Sequence, residues 1–183
     1  MKTHQVYHHT ADDQKEDQFQ KIKSYHISKG WGGIGYHRFI ERSGVLIMGR
    51  PIGERGAHAV NVGGSRDKSG LPYDTINNVA IGYCLAGDFT KEKPTMAQIK
   101  TLHKISYEDQ IKYGIPDENR FNHRDVSQTL CPGVDLITLI DMEHRNYLRK
   151  KKYRAENALR WTNPLRSAML RRLIDRIKAL LSL

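Results

Sequence analysis

An α/β domain on a central mixed sheet flanked by helices, with a basic amphipathic helix at its C-terminal end, is the fold class this 183-residue sequence predicts. Three observations carry that reading. Apolar runs of period two alternate with stretches of helical period. Val79, Ile81, Tyr83 and Leu85 interleave with Ala80, Gly82, Cys84 and Ala86, the pattern of a buried strand with one face of small residues that a helix can cover closely. Charge is divided unevenly: from Arg149 onward there are eleven Lys or Arg against Glu156 and Asp175, while the formal net charge of the whole chain is +10.

Taken in order, Val6 and Tyr7 open a short strand ending in His8-His9-Thr10. A helix follows, with Phe19, Ile22 and His26 on one face and Gly30 placed to end it. Tyr36 to Ile40, a turn at Arg42-Ser43-Gly44, and Val45 to Met48 read as a hairpin. Residues 53–78 carry Gly, Ser, Asn and Asp without periodicity and predict a long irregular loop. After the central strand, Thr95 and Gln98 form a capping box ahead of Ile99, Leu102 and Ile105, and Gly114 stops that helix. A further helix is expected from Val134 through Tyr147, with a boundary near residue 150 that separates a domain at 1–150 from an arm at 151–183.

Composition excludes several classes. The chain is long enough to bury a core without disulfide staples, and Cys84 and Cys131 sit in settings too different to suggest a bridge. No apolar stretch reaches the roughly 18 residues of a membrane span, and MKTHQVYHHTADDQ turns acidic where a secretion signal needs an apolar block. Positive charge confined to the tail argues against a nucleic-acid-binding body, which spreads such charge over its face.

His123 and Cys131 flank HRDVSQTLC, long enough for a loop whose ends return to one ion. Zinc takes imidazole and thiolate ligands in tetrahedral array, and a catalytic site keeps its fourth position open. Taken singly, a surface histidine beside an unrelated buried thiol accounts for this pair better than a metal site does, and His8 reads as a histidine of a strand end.

Five blocks in order change that weighing: VYHHTA at 6–11, GWGGIGYHRFI at 30–40, GAHAVNVG at 56–63, NNVAIGYCLAGDF at 77–89 and NHRDVSQTLCPGVDL at 122–136. Together they resemble the type 2 N-acetylmuramoyl-L-alanine amidases, the family of amidase-type phage lysozymes and peptidoglycan recognition proteins, over roughly residues 5–145. The resemblance implies a peptidoglycan-recognition-protein-like fold and a Zn2+ ion held by His8, His123 and Cys131. It also implies hydrolysis of the amide between N-acetylmuramic acid and L-alanine in peptidoglycan. Tyr36 is implied as a hydrogen-bond donor at the reacting centre. Thr129 stands where the phage lysozymes have a lysine, as in many catalytic recognition proteins, and brings a donor without positive charge. His58 and Asn77 match substrate-binding positions. Cys84 reads as structural, and His37 is expected on the opposite side of its strand from Tyr36. Arg124 and Asp125, next to a ligand, suit either orientation of the loop or a surface salt bridge.

The resemblance further implies a phage or prophage endolysin, made without a signal peptide in the host cytoplasm and bacteriolytic at the cell wall after release. The alternative is a noncatalytic peptidoglycan-binding module, whose members typically lose the ligand cysteine that Cys131 supplies. From Pro164, Leu165, Met169, Leu170, Leu173, Ile174, Ile177, Leu180 and Leu181 recur at helical spacing while Arg166, Arg171, Arg172, Arg176 and Lys178 take other faces. Residues 164–183 therefore predict a helix that packs on the domain, contacts an anionic bacterial envelope, or self-associates through its Leu/Ile stripe. Peptidoglycan is the expected partner, nucleic acid is not, and a monomer is the expected state.

Overall fold

The computed structural model describes residues 1–15, 17–63, 67–159 and 164–182, with side chains from 167 onward in the last segment. Two compact units divide the chain, Met1–Thr138 and Leu139–Leu183. Five strands form one mixed sheet in the first unit: β1 (His4–His9), β2 (Arg38–Ile40), β3 (Leu46–Met48), β4 (Ala80–Leu85) and β5 (Arg120–Asn122), in the order β3-β2-β4-β1-β5. β4 is the central strand, as its alternation predicts. It runs parallel to β1 and β2, β5 runs parallel to β1, and only the β2–β3 hairpin is antiparallel.

Register sorts the side chains. His4, Val6 and His8 pair with Ala80, Gly82 and Cys84, so these six share one face. Helix α1 (Phe19–Ser28) covers part of it, with Phe19 and Ile22 packed on Phe39, Cys84 and Ala86. At Gly82 the covering group is instead the His58 ring, which an added Cβ would meet at 2.4 Å.

The opposite face carries Gln5, Tyr7, Tyr83 and Arg38 and lies under helix α3 (Met96–Tyr113). Gln5 Nε2 donates to the Ser106 carbonyl at 2.7 Å, and Arg38 forms a bidentate pair with Asp109. The Thr95–Gln98 capping box is present in both directions, at 3.1 and 3.0 Å, and such caps contribute about 1 kcal/mol. Gly114 ends α3 at φ 65°, a left-handed position that glycine takes without a Cβ penalty.

The 53–78 loop is irregular except for a single turn, α2 (Ile76–Val79), and residues 64–66 lie outside the described part. The expected loop after β5 begins with another single turn, α4 (His123–Val126). Helix α5 (Val134–Leu159) continues past the expected end at Tyr147 and past residue 150. No glycine or proline occurs between Val134 and Asn163, and the Lys/Arg/Glu/Ala run there favours helix.

Helix α6 (Pro164–Leu181) occupies the expected C-terminal position. Ile174 and Ile177 are buried, whereas Met169 of the same stripe is exposed; the side chains of Leu165 and Arg166 lie outside the described part. Among the described residues no helix is long and apolar enough to cross a membrane.

Candidate metal centre

Three separate segments deliver His8, His123 and Cys131 to one point. His8 is fully buried near the end of β1. His123 is the first residue of α4, whose start is set where the Asp125 carboxylate accepts from the Asn122 amide at 2.8 Å. The loop that follows is tied back where the Arg124 amide donates to the Cys131 carbonyl at 2.9 Å. Thr129 Oγ1 accepts from the Cys131 amide at 3.1 Å, and the His9 amide donates to Cys131 Sγ at 3.4 Å.

The His8 and His123 rings are 4.4 Å apart between centroids, and Cys131 Sγ is 3.9 Å from His8 Nδ1. One donor atom from each of the three lies within 4.8 Å of the others. Two imidazoles and a sulfur suit zinc, whose ligand distances of about 2.0–2.3 Å place tetrahedral donors roughly 3.3–3.7 Å apart. Modest inward movement of the side chains meets that requirement, so the residues present fit the ion.

Burial sets the protonation of the donors. It holds the His8 imidazole well below its ordinary range, with His123 and His58 adding to the effect, and it lowers His123 to about 4. The Cys131 thiol is pushed up to about 12 by the same burial, opposed by the His9 amide. Both imidazoles thus present lone pairs at neutral pH, and a metal ion entering the site displaces the thiol proton.

A family model described as N-acetylmuramoyl-L-alanine amidase matches residues 3–134, a segment that contains all three donors. The chain belongs to the N-acetylmuramoyl-L-alanine amidase family. It is 31% identical over 140 residues to peptidoglycan-recognition protein SC2 of Drosophila melanogaster, covering 72% of this chain and 68% of that protein. It is 28% identical over 122 residues to the endolysin of Klebsiella phage KP32, covering 64% and 70% of the two chains. Among solved structures, N-acetylmuramoyl-L-alanine amidase LysC from Clostridium intestinale superposes with a TM-score of 0.61 at 35% identity, covering 73% of this chain and 78% of that one.

At His123, this amidase-family chain opens a cavity of about 470 Å3 lined also by Trp31, Arg55, His58, Asn77 and Thr129. His58 borders it but is 6% exposed, and its Nδ1 lies 3.0 Å from His8 Nε2, so the ring meets His8 as well as the groove. Asn77 lines the cavity and also braces the backbone beside it. Its Oδ1 accepts from the His58 and Ala59 amides and its Nδ2 donates to the Ala59 carbonyl, so the side chain is engaged in holding the His58 segment.

Tyr36 packs its ring 5.3 Å from that of His8 and is half-buried. Burial, with Cys84 and Cys131 as neighbours, holds its phenol well above the usual range, which leaves a protonated donor. His37 does not alternate away from the site: its ring stands 5.7 Å from His58, because Tyr36 and His37 precede β2 and escape strand alternation. Asp125 caps α4 and pairs with Lys68 at 2.6 Å, so it serves both expected roles, whereas Arg124 contributes its backbone.

Two residues that the sequence placed only structurally, on a helix face and on the central strand, stand beside the site. His26 Nδ1 accepts from the Gly35 amide at 2.9 Å, and its ring lies 4.6 Å from Trp31 and 5.4 Å from Tyr36. Cys84 sits opposite His8 in the β1–β4 register, next to Tyr36. An imidazole among apolar helix positions was the one available signal for His26.

The buried histidines make stability depend on pH. An unfolded histidine takes up a proton near pH 6.5, whereas His37 stays neutral to about 3 and His123 to about 4, both through burial. Below pH 6.5 the unfolded chain therefore binds more protons than the folded one, and stability falls as the pH drops from 6.5 toward 4, by up to about 1.4 kcal/mol per unit for each such group. Chelator-treated protein is expected to melt at a lower temperature at pH 5 than at pH 7. An equal or higher melting temperature at pH 5 contradicts this placement of neutral imidazoles.

Proposed function

We propose that this chain is a zinc-dependent hydrolase that cleaves the amide between N-acetylmuramic acid and L-alanine in peptidoglycan, and that it serves as a phage or prophage endolysin. The observation that carries the reading is the convergence of His8, His123 and Cys131 within 4.8 Å beside an open groove. Family membership and likeness to a phage endolysin and to a clostridial amidase support the same reaction and the cell wall as its place of action.

Bound by these three residues, zinc supplies Lewis acidity toward the scissile carbonyl and the attacking water. The chain's own groups do the rest. His8 Nδ1 faces Cys131 Sγ at 3.9 Å and would be the nitrogen free to hold the ion. Nε2 would then carry the ring proton and donate a hydrogen bond to the neutral His58 Nδ1 at 3.0 Å, which would fix tautomer and ring orientation. The His9 amide stabilises the Cys131 thiolate by donating to sulfur. Tyr36, kept protonated, donates to the oxyanion that develops on the carbonyl, and Thr129 offers a hydroxyl from the groove wall. Trp31 and Arg55 line the groove on which the glycan and its stem peptide would lie.

Tyr36→Phe removes one donor and leaves the ligands intact. Turnover is expected to fall roughly 100- to 1,000-fold, the effect of deleting one oxyanion donor elsewhere, with zinc content unchanged. Unaltered turnover rules out this role.

The reaction itself is tested by digesting purified peptidoglycan and weighing the products. Stem peptides with a free L-alanine amine, intact glycan, loss of release with chelator and its return with zinc are the expected result. Tight binding to peptidoglycan with no peptide released by the zinc-loaded chain points instead to a noncatalytic recognition module.

A further inference from the structure

The second unit, residues 139–183, contributes no metal donor among the described residues, yet it holds twelve Lys or Arg against four Asp or Glu. Within it, the later part of α5 and α6 border a cleft of about 500 Å3, inside the range of roughly 300–1,000 Å3 usual for small-molecule sites. Its apolar lining includes Ala155, Leu170 and Leu173, and Lys150, Lys151 and Arg154 stand around it.

Helical spacing explains the combination. Lys150, Lys151, Arg154, Ala155 and Ala158 recur at intervals of one, three and four along a single side of α5, so cations and small apolar groups share a face. Alanine at 155 and 158 leaves open the space that a larger residue would fill.

The neighbouring Lys152 is neutralised by Glu156 at 3.6 Å, whereas no carboxylate pairs with Lys150, Lys151 or Arg154 among the described residues. Three adjacent like charges beside an apolar cleft disfavour one another, and a ligand with one negative head and a hydrocarbon body relieves both conditions. A second copy of this unit would bring its own excess of positive charge, and an acidic peptide would leave the apolar lining in water.

We propose that this cleft binds an anionic phospholipid, its acyl chain along Ala155, Leu170 and Leu173 and its phosphate at Lys150, Lys151 and Arg154. The site is independent of the amidase reading. It differs from a general attraction of a basic helix to a charged surface, because the cations of α5 and the shape of the cleft both matter.

The test is co-sedimentation of the full chain with vesicles of phosphatidylcholine alone and with added phosphatidylglycerol. Binding to the anionic vesicles is expected to exceed binding to neutral ones roughly tenfold or more. Replacing Lys150, Lys151 and Arg154 together by Gln should abolish most of that difference, and replacing Arg171, Arg172 and Lys178 by Gln, an equal loss of charge away from the cleft, should change it no more than about threefold. Ala158→Trp fills the cleft at an exposed position without altering charge and should weaken binding roughly fivefold or more. Circular dichroism on each variant checks that helix content is kept. Equal losses in the two triple variants, unchanged binding with Ala158→Trp, or full competition by an acidic peptide would each overturn the proposal.

Discussion

Cys131→Ser is expected to fold, to lose zinc affinity by about two orders of magnitude or more, and to release no peptide from the wall. The size follows from sharing a zinc binding free energy of about 10–16 kcal/mol among four ligands. Serine keeps the shape of the side chain and can still accept from the His9 amide, which now reaches sulfur at 3.4 Å. Its hydroxyl does not ionise as a thiol does when a metal enters, so the substitution separates ligation from packing. Chelator competition measures the affinity and peptide release the activity. Parent-like values of both would remove Cys131 from the ligand set.

Asp109→Ala is expected to cost about 3–5 kcal/mol of stability while sparing the site. Arg38 grips Asp109 through Nε at 3.1 Å and Nη2 at 2.9 Å, the Tyr83 hydroxyl donates to it at 3.0 Å, and the two charged side chains are 6% and 4% exposed. Removing the carboxylate leaves a guanidinium buried and unpaired, a far larger loss than the net worth of the pair. At roughly 2–4 °C per kcal/mol for a chain of this size, the melting temperature should fall by about 10 °C. The pair lies on the sheet face away from His8, so zinc affinity below the transition should stay within about threefold. Replacing Arg38 and Asp109 together by Met and Leu should recover much of the loss. A melting shift under about 2 °C for Asp109→Ala contradicts this view of the α3 face.

How much of this was legible beforehand depended on the range of the interaction. The alternation of residues 79–86, the Thr95–Gln98 box and the stop at Gly114 are local rules, and each element formed where they place it. The meeting of His8, His123 and Cys131 was legible through ordered sequence blocks, because periodicity alone left His8 and His123 open to ordinary structural roles. What spacing could not supply was the packing of distant segments. His58 reaches His8 across 50 positions of sequence, and it fits only because residues 56 and 82 are glycines, where a Cβ would come within 2.5 and 2.4 Å of the ring. Asn77 lines the groove, and spacing gave no sign that its amide also serves the backbone at 58 and 59. His37 escaped alternation by lying outside its strand, and α5 overran its expected end because nothing in its sequence breaks a helix.

X-ray absorption at the zinc edge of the metal-loaded chain tests the ligand trio most directly. Two imidazole nitrogens at about 2.0–2.1 Å, one sulfur at about 2.3 Å and one further light atom are expected. A coordination shell without sulfur, or with two sulfurs, would contradict ligation by His8, His123 and Cys131.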